Sequence, residues 1–246
     1  WDKPIPTWND HLRHFRSGPT HLPRRLVAVG GDVFVTLGFD APVTRLDAAT
    51  GEVLHTYKGT ARTEEIVCHD GVLYLMVGTS EVTRSGAGLS LRGEPKPTTT
   101  RFLVAMDVDS GKEIWRKNAK GSDFILPLSV TALADKVFYQ DVSGIACVDA
   151  RTGARKWLAE RPTPSKRYGW STSTLVITKD VVLCADRKMT GKAGGTPPPA
   201  KSDPSWGVTC FGVAGVDRKG PCELIAYAMV DGRKLWSAPC SVGYNS

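Results

Sequence analysis

One motif is written four times along this chain: an Asp-x-x-Thr/Ser-Gly turn, followed four residues after its glycine by a ring-bearing side chain. The first copy has Asp47, Thr50, Gly51 and His55; the second has Asp107, Ser110, Gly111 and Trp115. The third has Asp149, Thr152, Gly153 and Trp157. The fourth is degenerate, with Ala228 in the aspartate place, then Asp231, Gly232 and Trp236. Gly111 and Gly153 lie 42 residues apart, and the wider gaps on either side fit the same unit enlarged by insertions. A unit of that size suits a four-stranded propeller blade.

Each unit repeats one order: an apolar run, a tight turn, a second apolar run, a third run ending at the motif aspartate, the Thr-Gly turn, and a run carrying the ring. The first unit places these runs at 26–29, 33–37, 43–46 and 53–57, and the second at 66–68, 72–77, 102–106 and 114–117. Val, Ile, Leu, Phe and Tyr dominate them, as strands require. Gly30-Gly31-Asp32 and Asp70-Gly71 supply residues that tolerate positive φ in tight hairpins. Val72 to Val77 is apolar without alternation, which implies burial on both faces. No long amphipathic helix is legible. The expected fold is all-β: four four-stranded blades at about 22–57, 62–117, 126–158 and 172–237, with insertions at 79–100 and 187–222 and a link at 1–21.

Ala105, Asp107, Gly111 and Trp115 complete the pattern Ala-x-Asp-x-x-x-Gly-x-x-x-Trp, and Asp149, Gly153 and Trp157 follow it with Cys147 in the Ala place. Arg45 and His55 replace the Ala and Trp of the first copy, while Ala226 and Trp236 keep those places in the fourth. In this the chain resembles the pyrroloquinoline-quinone-type repeat propellers over nearly its whole length. The resemblance implies a seven- or eight-bladed ring. It leaves function open, because the same repeat builds catalytic dehydrogenases and non-catalytic scaffolds, including an outer-membrane assembly lipoprotein. The motif itself has a structural reading: the glycine closes a turn, the aspartate accepts from turn amides, and the ring covers a neighbouring blade.

Trp1 reads as the last motif residue of a preceding blade, so the chain is expected to be a fragment whose partners are the remaining blades, another protein, or a second copy. No run of ~18 apolar residues marks a membrane span, and no signal peptide is visible. Cys68, Cys147 and Cys184 fall in expected strands as small buried hydrophobes. Cys210 and Cys222 flank a Gly-rich stretch and are candidates for a disulfide in an oxidising compartment, whereas Cys240 has no evident partner. The net charge of +7 is concentrated in 1–25 and 187–222. Such a patch favours anionic partners, but dispersed basic residues without stacked aromatics argue against nucleic acid.

Both turn types fall on one face of a blade, so the two-to-three loops and the links between blades emerge on the other, where both insertions lie. Long loops on a rigid scaffold are the usual carriers of function. Trp8, Asn9, Asp10, His11 and His14, then Glu64 and Glu65, then Tyr168 and Trp170, add polar and aromatic groups to that face. Two functions fit. One is a binding or scaffold module of a larger periplasmic or extracellular protein. The other, implied by the resemblance, is a quinoprotein alcohol or sugar dehydrogenase, with Trp170 stacked on pyrroloquinoline quinone and Glu64, Asn9 and Asp10 near calcium. Quinoprotein alcohol dehydrogenases carry a vicinal Cys-Cys ring, and this chain has no adjacent cysteines. No Gly-x-Ser-x-Gly elbow or phosphate-binding Gly-x-x-x-x-Gly-Lys-Ser/Thr loop is present.

Overall fold

The computed structural model describes residues 1–4, 24–38, 41–78, 101–119, 125–126, 128–163, 174–187 and 222–240. They form sixteen strands in four sheets, and each sheet is an antiparallel meander of four consecutive strands. Blade 1 contains β1 (Leu26–Val29), β2 (Asp32–Thr36), β3 (Val43–Asp47) and β4 (Val53–Thr56). Blade 2 contains β5 (Thr63–His69), β6 (Val72–Gly78), β7 (Arg101–Asp107) and β8 (Glu113–Ala119). Blade 3 contains β9 (Thr131–Leu133), β10 (Lys136–Gln140), β11 (Gly144–Asp149) and β12 (Arg155–Glu160). Blade 4 contains β13 (Thr174–Ile177), β14 (Val181–Arg187), β15 (Cys222–Ala228) and β16 (Lys234–Cys240). The expected propeller order is therefore the observed one, with the first strands β1, β5, β9 and β13 adjacent from blade to blade.

The motif aspartate shapes its turn as expected. Asp47 Oδ1 accepts from the backbone N–H groups of Ala49 and Thr50 at 2.9 and 2.7 Å and from the Thr50 hydroxyl. Asp107 with Ser110, and Asp149 with Arg151 and Thr152, repeat the arrangement. These bonds hold the Asp47 and Asp107 carboxyls below the ordinary range, while Lys156 first and Thr152 next hold Asp149 at about 2. A second bond recurs in every blade: the residue after the third strand donates its N–H to the carbonyl of the first hairpin. The pairs are Ala48 to Gly31, Val108 to Gly71, Ala150 to Asp135 and Met229 to Asp180. Both turns are thereby stapled together on one face.

Three apolar cores lie between successive blades. Phe34, Ile66, Leu73 and Leu75 fill the first seam; Tyr74, Met76, Val137 and Tyr139 fill the second; Phe138, Ile145, Val182 and Ile225 fill the third. Residues of β6 alternate between the first and second seams, which explains why that strand is apolar on both faces.

The motif rings close the seams. Trp115 lies on Gly153 and donates its indole N–H to Ala150 O at 2.9 Å; Trp157 lies on Gly232 and donates to Met229 O at 3.0 Å. Trp1 sits on Gly51 in the same manner and donates to Ala48 O at 3.0 Å. Gly153 adopts φ 68°, and a Cβ there would meet the Trp115 ring at 2.8 Å, so the position excludes side chains on two counts. In each blade a register shift between the third and fourth strands, as between Ala105 and Met106, turns the ring toward the next blade.

The first seam uses different chemistry. His55 occupies the ring place over Gly111, and the carbonyl that an indole would engage, Val108 O, instead accepts from the fully buried Tyr57 hydroxyl at 2.7 Å. Arg45 stands opposite His55 in the ladder, where Ala105, Cys147 and Ala226 stand opposite Trp115, Trp157 and Trp236. The smaller ring is matched by the longer partner, and Arg45 bonds Asp32 at 2.8 Å within the blade and Asp109 at 3.0 Å across the seam. Removing the Tyr57 hydroxyl by Tyr57→Phe leaves Val108 O without that donor and is expected to cost ~1–2 kcal/mol in denaturant unfolding. Trp115 is 9% exposed and Trp236 is 48% exposed. Trp115→Ala is accordingly expected to cost ~3 kcal/mol or more, and Trp236→Ala under about 1 kcal/mol, in the same measurement.

Candidate functional site

The two insertions leave and rejoin the body at facing positions of the ladders. Gly78 is paired with Arg101 and Arg187 with Cys222 at the ladder ends away from the stapled turns, so the described chain breaks off and resumes there on either side of 79–100 and 188–221. The shorter connection 141–143 and the described link 57–62 between blades 1 and 2 open on that face, opposite the stapled turns, too. Asn9, Asp10, His11, His14, Tyr168 and Trp170 lie outside the described residues, as do 79–100 and 188–221.

Beneath this face lies a layer of polar side chains. Glu64, the one described residue among the expected cofactor neighbours, is bonded to Arg101 Nε at 2.8 Å. A cation at Glu64 would share the carboxylate with a guanidinium already in contact. Among the described residues no three His, Cys, Asp or Glu side chains converge as a metal site.

Its neighbour Glu65 is 0% exposed. One oxygen accepts from Arg24 Nη2 at 2.7 Å and from Val130 N–H at 3.2 Å, and the other has no partner. Arg24 precedes blade 1 and Val130 precedes blade 3, so one carboxylate of blade 2 touches the segments that lead into both flanking blades. Burial pushes the Glu65 carboxyl up to about 7, against the Arg24 charge and the N–H groups of Val130 and Leu128. Leu128 adopts φ 60°, a left-handed turn that folds the link over Glu65.

A second cluster joins blades 3 and 4. Gln140 Nε2 donates to Thr163 at 2.9 Å and to Asp186 at 3.2 Å, while Arg161 donates to Asp186 Oδ2 and to its backbone carbonyl. Arg161 and Asp186 are both buried. Outside this cluster a groove of about 570 Å³ runs between blades 3 and 4, with Leu158, Ile225 and Tyr227 as its apolar lining. The basic groups of its lining are engaged, Lys234 with Glu223 at 3.7 Å and Arg161 with Asp186.

Sequence reasoning singled out Glu64 as a ligand and passed over Arg24, Gln140, Arg161 and Asp186. Nothing local marks these residues. They meet because the ends of strands from different blades meet. The cysteines follow expectation in part: Cys68, Cys147 and Cys184 are thiols rather than disulfides, and burial pushes Cys147 up to about 11. Cys210 lies outside the described residues, but Cys240, for which the sequence offers no partner, faces Cys222 in the β15–β16 ladder.

The family model described as outer membrane protein assembly factor BamB matches residues 78–196, just under half of the chain. That stretch holds the second and third copies of the motif, and over it the chain is similar to the repeats of that family. No curated protein matches the chain. Among solved structures, BamB from Moraxella catarrhalis is 16% identical over 87% of this chain and 47% of its own, with a TM-score of 0.42. Hydrazine synthase from Kuenenia stuttgartiensis is 10% identical over 88% and 49%, with a TM-score of 0.49. The computationally designed Ika4 protein is 14% identical over 68% and 87%, with a TM-score of 0.43. The chain spans about half the length of the first two. Among the described residues no helix is long and apolar enough to cross a membrane.

Because Asp186 remains buried when its guanidinium partner is removed, Arg161→Met is expected to destabilise the protein by ~3 kcal/mol or more in chemical denaturation. Arg116→Met, which breaks a half-exposed pair with Glu113, is expected to stay within about 1 kcal/mol.

Proposed function

We propose that this chain is a non-catalytic binding or scaffold module of an exported protein, and that it holds a protein partner on the face that bears the insertions. The observation that carries the reading is the placement of Gly78 beside Arg101 and Arg187 beside Cys222, which roots both long insertions on one face of a four-blade body. The polar layer below that face supports it, because its described charged groups are paired, Arg101 with Glu64 inside blade 2 and Arg161 with Asp186 between blades 3 and 4, and anchor the rim. The outer-membrane assembly description of the matching family agrees with a role in holding proteins outside the cytoplasm.

Two measurements test this. Chains in which 79–100 or 188–221 is replaced by a short Gly-Ser turn are expected to keep the melting temperature of the intact chain and to lose a cross-linked partner identified with it. Retention of that partner by both shortened chains would move the binding surface elsewhere. Calorimetric titration with pyrroloquinoline quinone, with and without calcium, is expected to show no micromolar binding. Calcium-dependent binding at that level would replace the scaffold reading with a quinoprotein dehydrogenase.

A further inference from the structure

We propose that Glu65 is a proton-operated tie beneath the insertion-bearing face: charged, it holds Arg24 and the link before blade 3 against blade 2, and protonated, it frees the Arg24 guanidinium at the rim. As a regulator of partner binding, this tie rests on the function proposed above.

The geometry separates Glu65 from an ordinary structural carboxylate. A buried carboxylate that stays charged fills both oxygens with donors, whereas here Arg24 and Val130 share one oxygen and the other has none. An ion buried in that state gains by taking a proton, because the neutral acid no longer needs a full donor set. The groups that face it are few. Arg24 comes from the chain before β1 and Glu64 is its neighbour in β5, already held by Arg101 of β7. Opposite it in β6 stands Met76, and the link before β9 presents backbone N–H groups. Among the described residues Arg24 is the cation paired with it, and its side chain is half-exposed. Protonation of Glu65 therefore turns a neutral pair into a free surface cation on the face that carries the insertions.

The sign of the stability effect follows from the raised pKa. Between the ordinary glutamate value near 4.3 and about 7, the folded state binds more protons than the unfolded chain, so stability is greatest at the acid end and falls as pH rises through that window. The turn aspartates titrate below it and do not confuse the reading.

The experiment is a carbon NMR titration of the glutamate side-chain carboxyls between pH 4.5 and 8.5, with thermal melts across the same range. One carboxyl is expected to titrate near neutrality in the wild type, to vanish in Glu65→Gln and to move higher in Arg24→Ala. The melting temperature is expected to fall by several degrees from pH 5 to 8 in the wild type and to vary less in Glu65→Gln. If every glutamate titrates in the ordinary range, or if the shifted resonance survives in Glu65→Gln, the tie is excluded. Should Glu65→Gln fail to fold, Arg24→Ala decides, since an unmoved titration there would show that the two groups are not coupled. None of these readouts needs a partner. Failure here would leave the binding reading standing, and loss of the binding reading would leave this titration intact.

Discussion

A ring laid on a glycine that has no room for a side chain is the interaction on which this architecture depends. An antiparallel four-stranded sheet has two faces, and its stability requires both to be covered. Blades 1, 2 and 3 meet that need by sending one ring each to the next blade, over a turn whose positive φ and missing Cβ leave a flat seat. The indole N–H then satisfies the carbonyl three residues before the seat, so a large apolar surface is buried without an unpaired donor. The apolar cores between blades form around these contacts.

Polar chemistry is sorted to the two ends of the blades. On the stapled face, aspartates and hydroxyls close turns in water, and their bonds shape local backbone. On the opposite face, buried groups such as Arg161 and Asp186 join one blade to another. The distinction matters energetically: exposed pairs are screened and worth little, whereas breaking a buried pair strands a charge. Within the buried set, Glu65 receives Arg24 and Val130 on one oxygen only.

The repeat made the strands, the turns and the two-face layout legible in sequence, since each depends on residues close together in the chain. Gly153 and Trp115 could be read as a turn and a cover from their spacing alone. The role of Tyr57 could not, because its hydroxyl replaces an indole N–H only after the chain has placed it beside Val108 of the next blade. The same holds for the polar layer. Arg24 and Glu65 are 41 residues apart, and Gln140 and Asp186 are 46 apart, with no motif to link them. Glu64 drew attention as a candidate ligand because it is acidic and lies at a link, yet its surroundings include Arg101, which is remote in sequence.

The ion pair across the first seam also distinguishes one order of the blades from another. Arg45 reaches Asp109, the second residue after the motif aspartate of blade 2. In blade 3 that place belongs to Arg151, in blade 4 to Val230, and in blade 1 itself to Ala49. A rearranged chain with blade 3 directly after blade 1 would set a guanidinium against a guanidinium, so these repeats, though built to one plan, cannot be shuffled freely.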